Sequence, residues 1–179
     1  MQVYLIGFMG AGKTTLGKRL AGRLDTTFVD MDKAIEEEEK MRVEEIFAQK
    51  GEDYFRELEK NWIKKINDKQ AVISLGGGTP CQEDVMKVLR QKGVPVYLKV
   101  DNGILTTRLM QSKTVRPLIA PFKNDPEKMR NFVNEKVAER EKFYLQSKLI
   151  FESSDVKSEK LELLKDLILV LSDQKSTEH

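Results

Sequence analysis

The chain has 179 residues, 40% of them hydrophobic and 34% charged, and its 31 basic side chains nearly balance 29 acidic ones for a net charge of +2. That length favours a single domain, and the near-neutral balance excludes a strong field toward nucleic acid or a membrane surface. One cysteine, Cys81, rules out an internal disulfide, and one histidine, the terminal His179, leaves no side chain for a histidine base, a Ser-His-Asp triad or a histidine-rich metal site.

No apolar run reaches membrane-spanning length, and the MQVYLIG start carries no basic leader, so a cytoplasmic protein is expected. Residues 3–7, VYLIG, form a short apolar run closed by glycine, which predicts a buried parallel strand. GFMGAGKTT comes next and satisfies G-x-x-x-x-G-K-[ST] from Gly7 to Thr14. Its glycines, Gly10 and Gly12 among them, let the backbone around Ala11 turn its N–H groups inward on phosphate oxygens. Lys13 adds a point charge. Thr14 and Thr15 open a helix over 13–24 whose N-terminus favours anions, and the Thr14 hydroxyl suits Mg²⁺. The loop predicts a nucleotide polyphosphate and leaves the fate of the phosphoryl group open.

Residues 26–30 predict a second strand delivering Asp30 and Asp32, two residues apart and on one side if the strand persists. Beside a metal-bound phosphate, one carboxylate would reach the metal through water and the other would meet a hydroxyl; either would equally cap a helix over 33–40. Helices over 43–50 and 52–67 divide at Gly51. In the second, Arg56 lies three residues before Glu59, within reach of its carboxylate, and Phe55, Leu58, Trp62 and Ile66 share one face. Phe47, Phe55 and Trp62 suit either core or pocket wall. A third strand over 71–75 runs into Gly76, Gly77 and Gly78, where backbone can approach a ligand at the C-terminal edge of a parallel sheet.

A helix over 82–91, a fourth strand over 94–100 and a helix beginning at 104–110 follow. Residues 111–126 hold three of the five prolines and no period, and read as a long loop able to lower Arg116 onto a phosphate. A long helix over 125–145 presents Arg140, a last strand covers 149–153, a helix over 158–171 closes the domain, and 174–179 is expected to be a disordered tail. This alternation predicts one α/β domain over 1–173, about five parallel strands covered on both faces.

A GTP-type switch would carry N-K-x-D and D-x-x-G; the chain shows NDKQ, NEKV, DMDK and LGGG instead, which favours a transfer enzyme. Taken in order, GFMGAGKTT, FVDMD, GEDYFRELE, LGGGTP, VRPL and REKFY resemble the shikimate kinases, from the first strand to about Tyr144. The resemblance implies a P-loop three-layer sandwich of the nucleoside-monophosphate-kinase type, strand order 2-3-1-4-5, with a mobile lid over about 111–124. It implies ATP:shikimate 3-phosphotransferase activity in aromatic amino-acid biosynthesis, with ATP and shikimate as partners, Mg²⁺ as cofactor, no nucleic-acid or membrane partner and a monomeric state. It assigns catalysis to Lys13, Asp32 and Arg116, and ATP to Gly10, Ala11, Gly12, Lys13, Thr14, Thr15 and Arg116. Shikimate falls to Asp32, Arg56, Gly76, Gly77, Gly78 and Arg140, and Mg²⁺ to Thr14 and, through water, Asp30. An aspartate at its reference pKa of roughly 4 is a weak base at neutral pH, but a loose transfer needs little base strength. Arg108 is a candidate adenine contact, and Lys113 and Lys123 stay open as lid contributors. The alternatives are a related small-molecule kinase such as a gluconate kinase, and a non-catalytic nucleotide-binding regulator.

Overall fold

The computed structural model describes residues 1–66, 70–112 and 117–173 of the chain. Five strands, β1 (Gln2–Ile6), β2 (Thr27–Asp30), β3 (Ala71–Ser74), β4 (Val94–Lys99) and β5 (Leu149–Glu152), form one sheet in the order β2-β3-β1-β4-β5. Every neighbouring pair is parallel. The connections are α1 (Lys13–Arg23), α2 (Met31–Glu39), α3 (Val43–Lys65), α4 (Val85–Lys92), α5 (Asn102–Gln111) and α6 (Pro126–Tyr144), and α7 (Ser158–Asp173) closes the chain.

Alternation along the central strand sorts the helices into two layers. Val3 and Leu5 of β1 join a core with Leu16 and Leu20 of α1, Leu109 of α5, Val133 of α6 and Ile168 of α7. Tyr4 and Ile6 point the other way, into a core with Ile35, Ile46, Phe55, Trp62 and Leu89 from α2, α3 and α4. Both faces of β1 are therefore covered, which is why its run from Val3 to Ile6 is continuously buried rather than alternating. Strand order reverses on either side of β1, and the crevice at its C-terminal end is where sheets of this kind take their ligands.

Gly51 does divide two helices, which run on as α3 across a non-helical φ of 84° and ψ of 170°. Three expectations need correction. The strand ends at Asp30, and α2 starts at Met31, so Asp32 stands on the first helical turn and not on a strand. Residues 82–84 are not helical: a short 3₁₀ turn at Thr79–Cys81, led by Pro80, intervenes, and Asp84 at φ 62° precedes α4. The described part of 111–126 is not loop throughout, because Pro117–Phe122 forms a 3₁₀ turn with Ile119 fully buried in the core beside Met129. Lys113, Arg116 and residues 174–179 lie outside the described residues.

Candidate active site

The loop between β1 and α1 folds as its glycines require. Gly10 and Gly12 adopt φ of 82° and 89°, a left-handed region that L side chains rarely enter, and Gly12 is the N-cap of α1. Lys13 bends back so that Nζ donates to the carbonyls of Gly7 at 2.8 Å and Phe8 at 3.1 Å, which fastens the ammonium over the loop. Opposite, the Thr14 hydroxyl donates to Asp30 Oδ2 at 3.1 Å. Asp30 occupies the N-cap of α2 without a side-chain capping bond, so its carboxylate is turned to Thr14 instead.

Asp32 and Glu59 form the acidic half of the crevice. Burial raises the Asp32 pKa to about 6, the negative charges of Glu59 and Asp30 add to the rise, and Lys13 opposes it. Asp32 Oδ1 is buried and has no hydrogen-bond partner among the described residues. Glu59 is wholly inaccessible and accepts from Arg56 Nη1 at 2.7 Å, Gln82 Nε2 at 2.7 Å and the Thr79 hydroxyl. Burial raises its pKa too, against the pull of Arg56 and those hydrogen bonds. A Cβ at Gly76 would lie 3.0 Å from Glu59 Oε1 and 3.1 Å from Asp32 Oδ1, so the glycine edges both carboxylates.

Two guanidinium groups form the basic half. Arg56 is braced by Glu59 and by Glu52, whose Oε1 accepts from Nη2 at 2.8 Å, and it lies over the rings of Phe47 and Phe55 at 5.9 and 5.8 Å. Its fork lies so close to the glycine loop that a Cβ at residue 78 would stand 2.6 Å from Nη2 and would push the guanidinium aside. Arg140, near the end of α6, sits over the Phe8 ring at 5.6 Å, and a Cβ at Gly77 would stand 3.4 Å from its Nη1. The site thus brings together an anion-binding loop, a pair of carboxylates and a pair of arginine forks suited to a carboxylate.

A second pocket, of about 430 Å³, opens on the other flank of the loop, lined by Gly10, Gly12, Thr15, Arg19, Arg108 and residues 153–156. Arg108 donates to the carbonyls of Gly10 at 3.1 Å and Ser154 at 2.9 Å, and Arg19 to Val156 at 2.8 Å. The segment after β5 is thereby tied to the phosphate loop.

The description "Shikimate kinase" fits a family whose profile matches residues 9–171. The chain belongs to the shikimate kinase family. A shikimate kinase of Azobacteroides pseudotrichonymphae is 42% identical over 152 residues, 84% of this chain and 88% of the relative. The crystal structure of the Bacteroides thetaiotaomicron shikimate kinase superposes with a TM-score of 0.87 at 34% identity, covering 94% of this chain and 98% of that one. The Acinetobacter baumannii shikimate kinase in complex with shikimate gives 0.77 at 30% identity, over 96% and 93% of the two chains. Family membership displaces the gluconate kinase alternative.

Within this shikimate kinase fold, the crevice gathers Lys13, Thr14, Asp30, Asp32, Arg56, Gly76, Gly77, Gly78 and Arg140, and the flanking pocket takes Gly10, Ala11, Gly12 and Thr15. Asp32 is not the ordinary aspartate the sequence suggests, since its surroundings hold it well above the usual range. Lys123 works elsewhere: its Nζ donates to the carbonyls of Leu109 at 2.9 Å, Met110 and Ser112, capping the end of α5. Sequence reasoning missed Thr79, Gln82 and residues 153–156. The Ser-Ser-Asp run after the last strand, at a C-terminal sheet edge, was the available signal for the pocket.

Proposed function

We propose that this chain transfers the γ-phosphoryl group of ATP to the 3-hydroxyl of shikimate. The observation that carries the reading is the buried Asp32 Oδ1, without a hydrogen-bond partner among the described residues and set among Lys13, Glu59 and the glycine loop, an acceptor suited to a substrate hydroxyl. A pKa of about 6 leaves Asp32 ionised at neutral pH yet more basic than an ordinary aspartate, so it can take the proton of the attacking hydroxyl. Arg56 and Arg140 grip the carboxylate as planar donors, which holds the ring with its hydroxyl toward Asp32. Lys13 leaves the loop carbonyls for the outer phosphate oxygens, and Arg116 joins it there by its match to the family motif. The Arg108 pocket accepts the base of ATP.

The oxygen donors fit Mg²⁺. A Thr14 hydroxyl and an Asp30 carboxylate 3.1 Å apart beside the loop suit a hard cation that keeps most of its waters. Among the described residues no group of three or more His, Cys, Asp or Glu forms a cage of its own, consistent with an ion that arrives on the nucleotide. When bound, Mg²⁺ neutralises phosphate charge as the transfer proceeds. Thr14 and Asp30 are the residues that would hold it, Thr14 through its hydroxyl and Asp30 through a water. We further take the enzyme to act as a monomer in the cytoplasm, which gel filtration and cell fractionation check; among the described residues no helix is long and apolar enough to cross a membrane.

The test is coupled ADP release with Mg-ATP alone, with shikimate and with gluconate. Strong stimulation by shikimate alone is expected. Stimulation by neither acid, in folded protein that still binds ATP, would overturn the reading and favour a nucleotide-binding regulator.

A further inference from the structure

Tyr144, four residues after Arg140 on α6, is fully buried, and the reaction as derived above does not use it. Its ring packs against Tyr97 at 5.1 Å, and its hydroxyl donates to the carbonyl oxygen of Gly77 at 2.6 Å. Arg140 flanks the same glycine: a Cβ at Gly77 would meet Arg140 Nη1 at 3.4 Å and the Tyr144 hydroxyl oxygen at 3.7 Å. The Tyr144 hydroxyl therefore donates to the glycine loop at the place where Arg140 also approaches it.

The Gly77 carbonyl shares its peptide plane with the Gly78 N–H, and in a trans peptide the two point in opposite directions. Anchoring the carbonyl on Tyr144 fixes that plane and aims the N–H away from the tyrosine. The two residues of this peptide also lie against different arginines: a Cβ at Gly77 would meet Arg140 Nη1 at 3.4 Å, and one at Gly78 would meet Arg56 Nη2 at 2.6 Å. The peptide is thus set between the two forks. Glycine has the greatest backbone freedom of any residue, so three in a row need an outside anchor to hold one geometry.

We propose that Tyr144 is a positioning residue for the acceptor's carboxylate, its hydroxyl coupling Arg140 to the 77–78 peptide so that both present their donors in one fixed arrangement. The inference rests on the shikimate kinase reading of the same site. Phenylalanine keeps the buried ring and removes only the coupling, so the fold is retained while Arg140 and the glycine peptide are released from one another.

Steady-state kinetics of the wild-type enzyme and Tyr144→Phe, with shikimate and with its analogue bearing a hydroxymethyl group in place of the carboxylate, test this. The expected result is a KM for shikimate raised roughly tenfold, the consequence of one well-oriented hydrogen bond lost, with the KM for ATP unchanged. For the analogue, kcat/KM should be the same in both proteins, because no carboxylate is there to be positioned. An equal loss on both acceptors would make Tyr144 merely structural, and no loss on shikimate would also overturn the proposal. A wild-type enzyme inert toward shikimate sinks the substrate reading itself, an outcome seen without any variant. Independently of the variant's folding, wild-type protein with ¹³Cζ-labelled tyrosine has four such carbons to follow. The Tyr144 resonance should move on adding shikimate without nucleotide, and a stationary Tyr144 resonance at saturation refutes the coupling.

Discussion

Replacing Asp32 with asparagine should make the ligand-free protein more stable at neutral pH while severely impairing turnover. Burial, reinforced by Glu59 and Asp30, lifts the Asp32 pKa from 3.8 to about 6. A carboxylate whose pKa is raised by folding holds its proton more tightly in the native state. Below 3.8 both states are protonated and nothing is lost; as pH rises through about 6 the native state must carry an ill-solvated charge. The gap of about two pH units, at about 1.36 kcal/mol each, puts the full cost near 3 kcal/mol. For a chain of this size that corresponds to at most about 6–12 °C in Tm. Thermal denaturation of both proteins from pH 4 to 8, in EDTA and without nucleotide, measures it. The Tm of Asp32→Asn should exceed that of the wild type at pH 8, and the difference should shrink toward pH 4. A difference that is absent at pH 8, or equal at both ends, would refute the claim that this site holds a strained carboxylate. Coupled ADP release on the same samples should show turnover severely impaired while ATP binding stays near normal.

Glu59→Gln removes the neighbouring charge and one brace of Arg56, so the acidic limb of kcat/KM for shikimate should fall below the wild-type value of about 6 as the KM for shikimate rises. An unmoved limb in the pH profile would show that Glu59 does not tune Asp32. Lys123→Met strips the ammonium from the carbonyls at the end of α5 and should cost about 1–3 kcal/mol in urea denaturation, a direct count of what that cap contributes. Gly17→Ala would set a Cβ 2.4 Å from the Phe28 ring, and overpacking of this kind should cost about 1–3 kcal/mol and lower Tm, with the KM values little changed.

What the sequence made legible was whatever is local. The phosphate loop is encoded in eight consecutive residues whose backbone needs force glycine at fixed positions, and the Arg56–Glu59 brace is a single helical turn. The strand order followed from the family resemblance, and the parallel sheet from the alternation of elements. Contacts made across the fold were not legible. Glu59 meets Thr79 and Gln82 more than 19 positions away, and Arg108 reaches Gly10 across 98. Asp32 misled for a subtler reason. The period-2 spacing of FVDMD fits a strand, yet the chain turns helical at Met31, and burial beside Glu59, which no local pattern records, sets its pKa. Lys123 showed only a basic residue in a proline-rich stretch, because the carbonyls it caps belong to another helix.

Helix α6, 19 residues long, is a rod of about 28 Å. In its first half Phe132 stacks on Phe122 at 5.0 Å, against the 3₁₀ turn that lies within the expected lid; near its end it carries Arg140 and Tyr144. Met129 and Val133 anchor it in one core, while Tyr144 is seated in the other, so the rod passes from one layer to the other across the end of the sheet. A rigid lever of that length, tilted by about 3°, moves one tip by about 1.5 Å relative to the other. Catalytic geometry tolerates less than about 1 Å of error. Any displacement of the 3₁₀ turn at Pro117–Phe122 is therefore geared, through one inflexible arm, to Arg140 and Tyr144 at the opposite end.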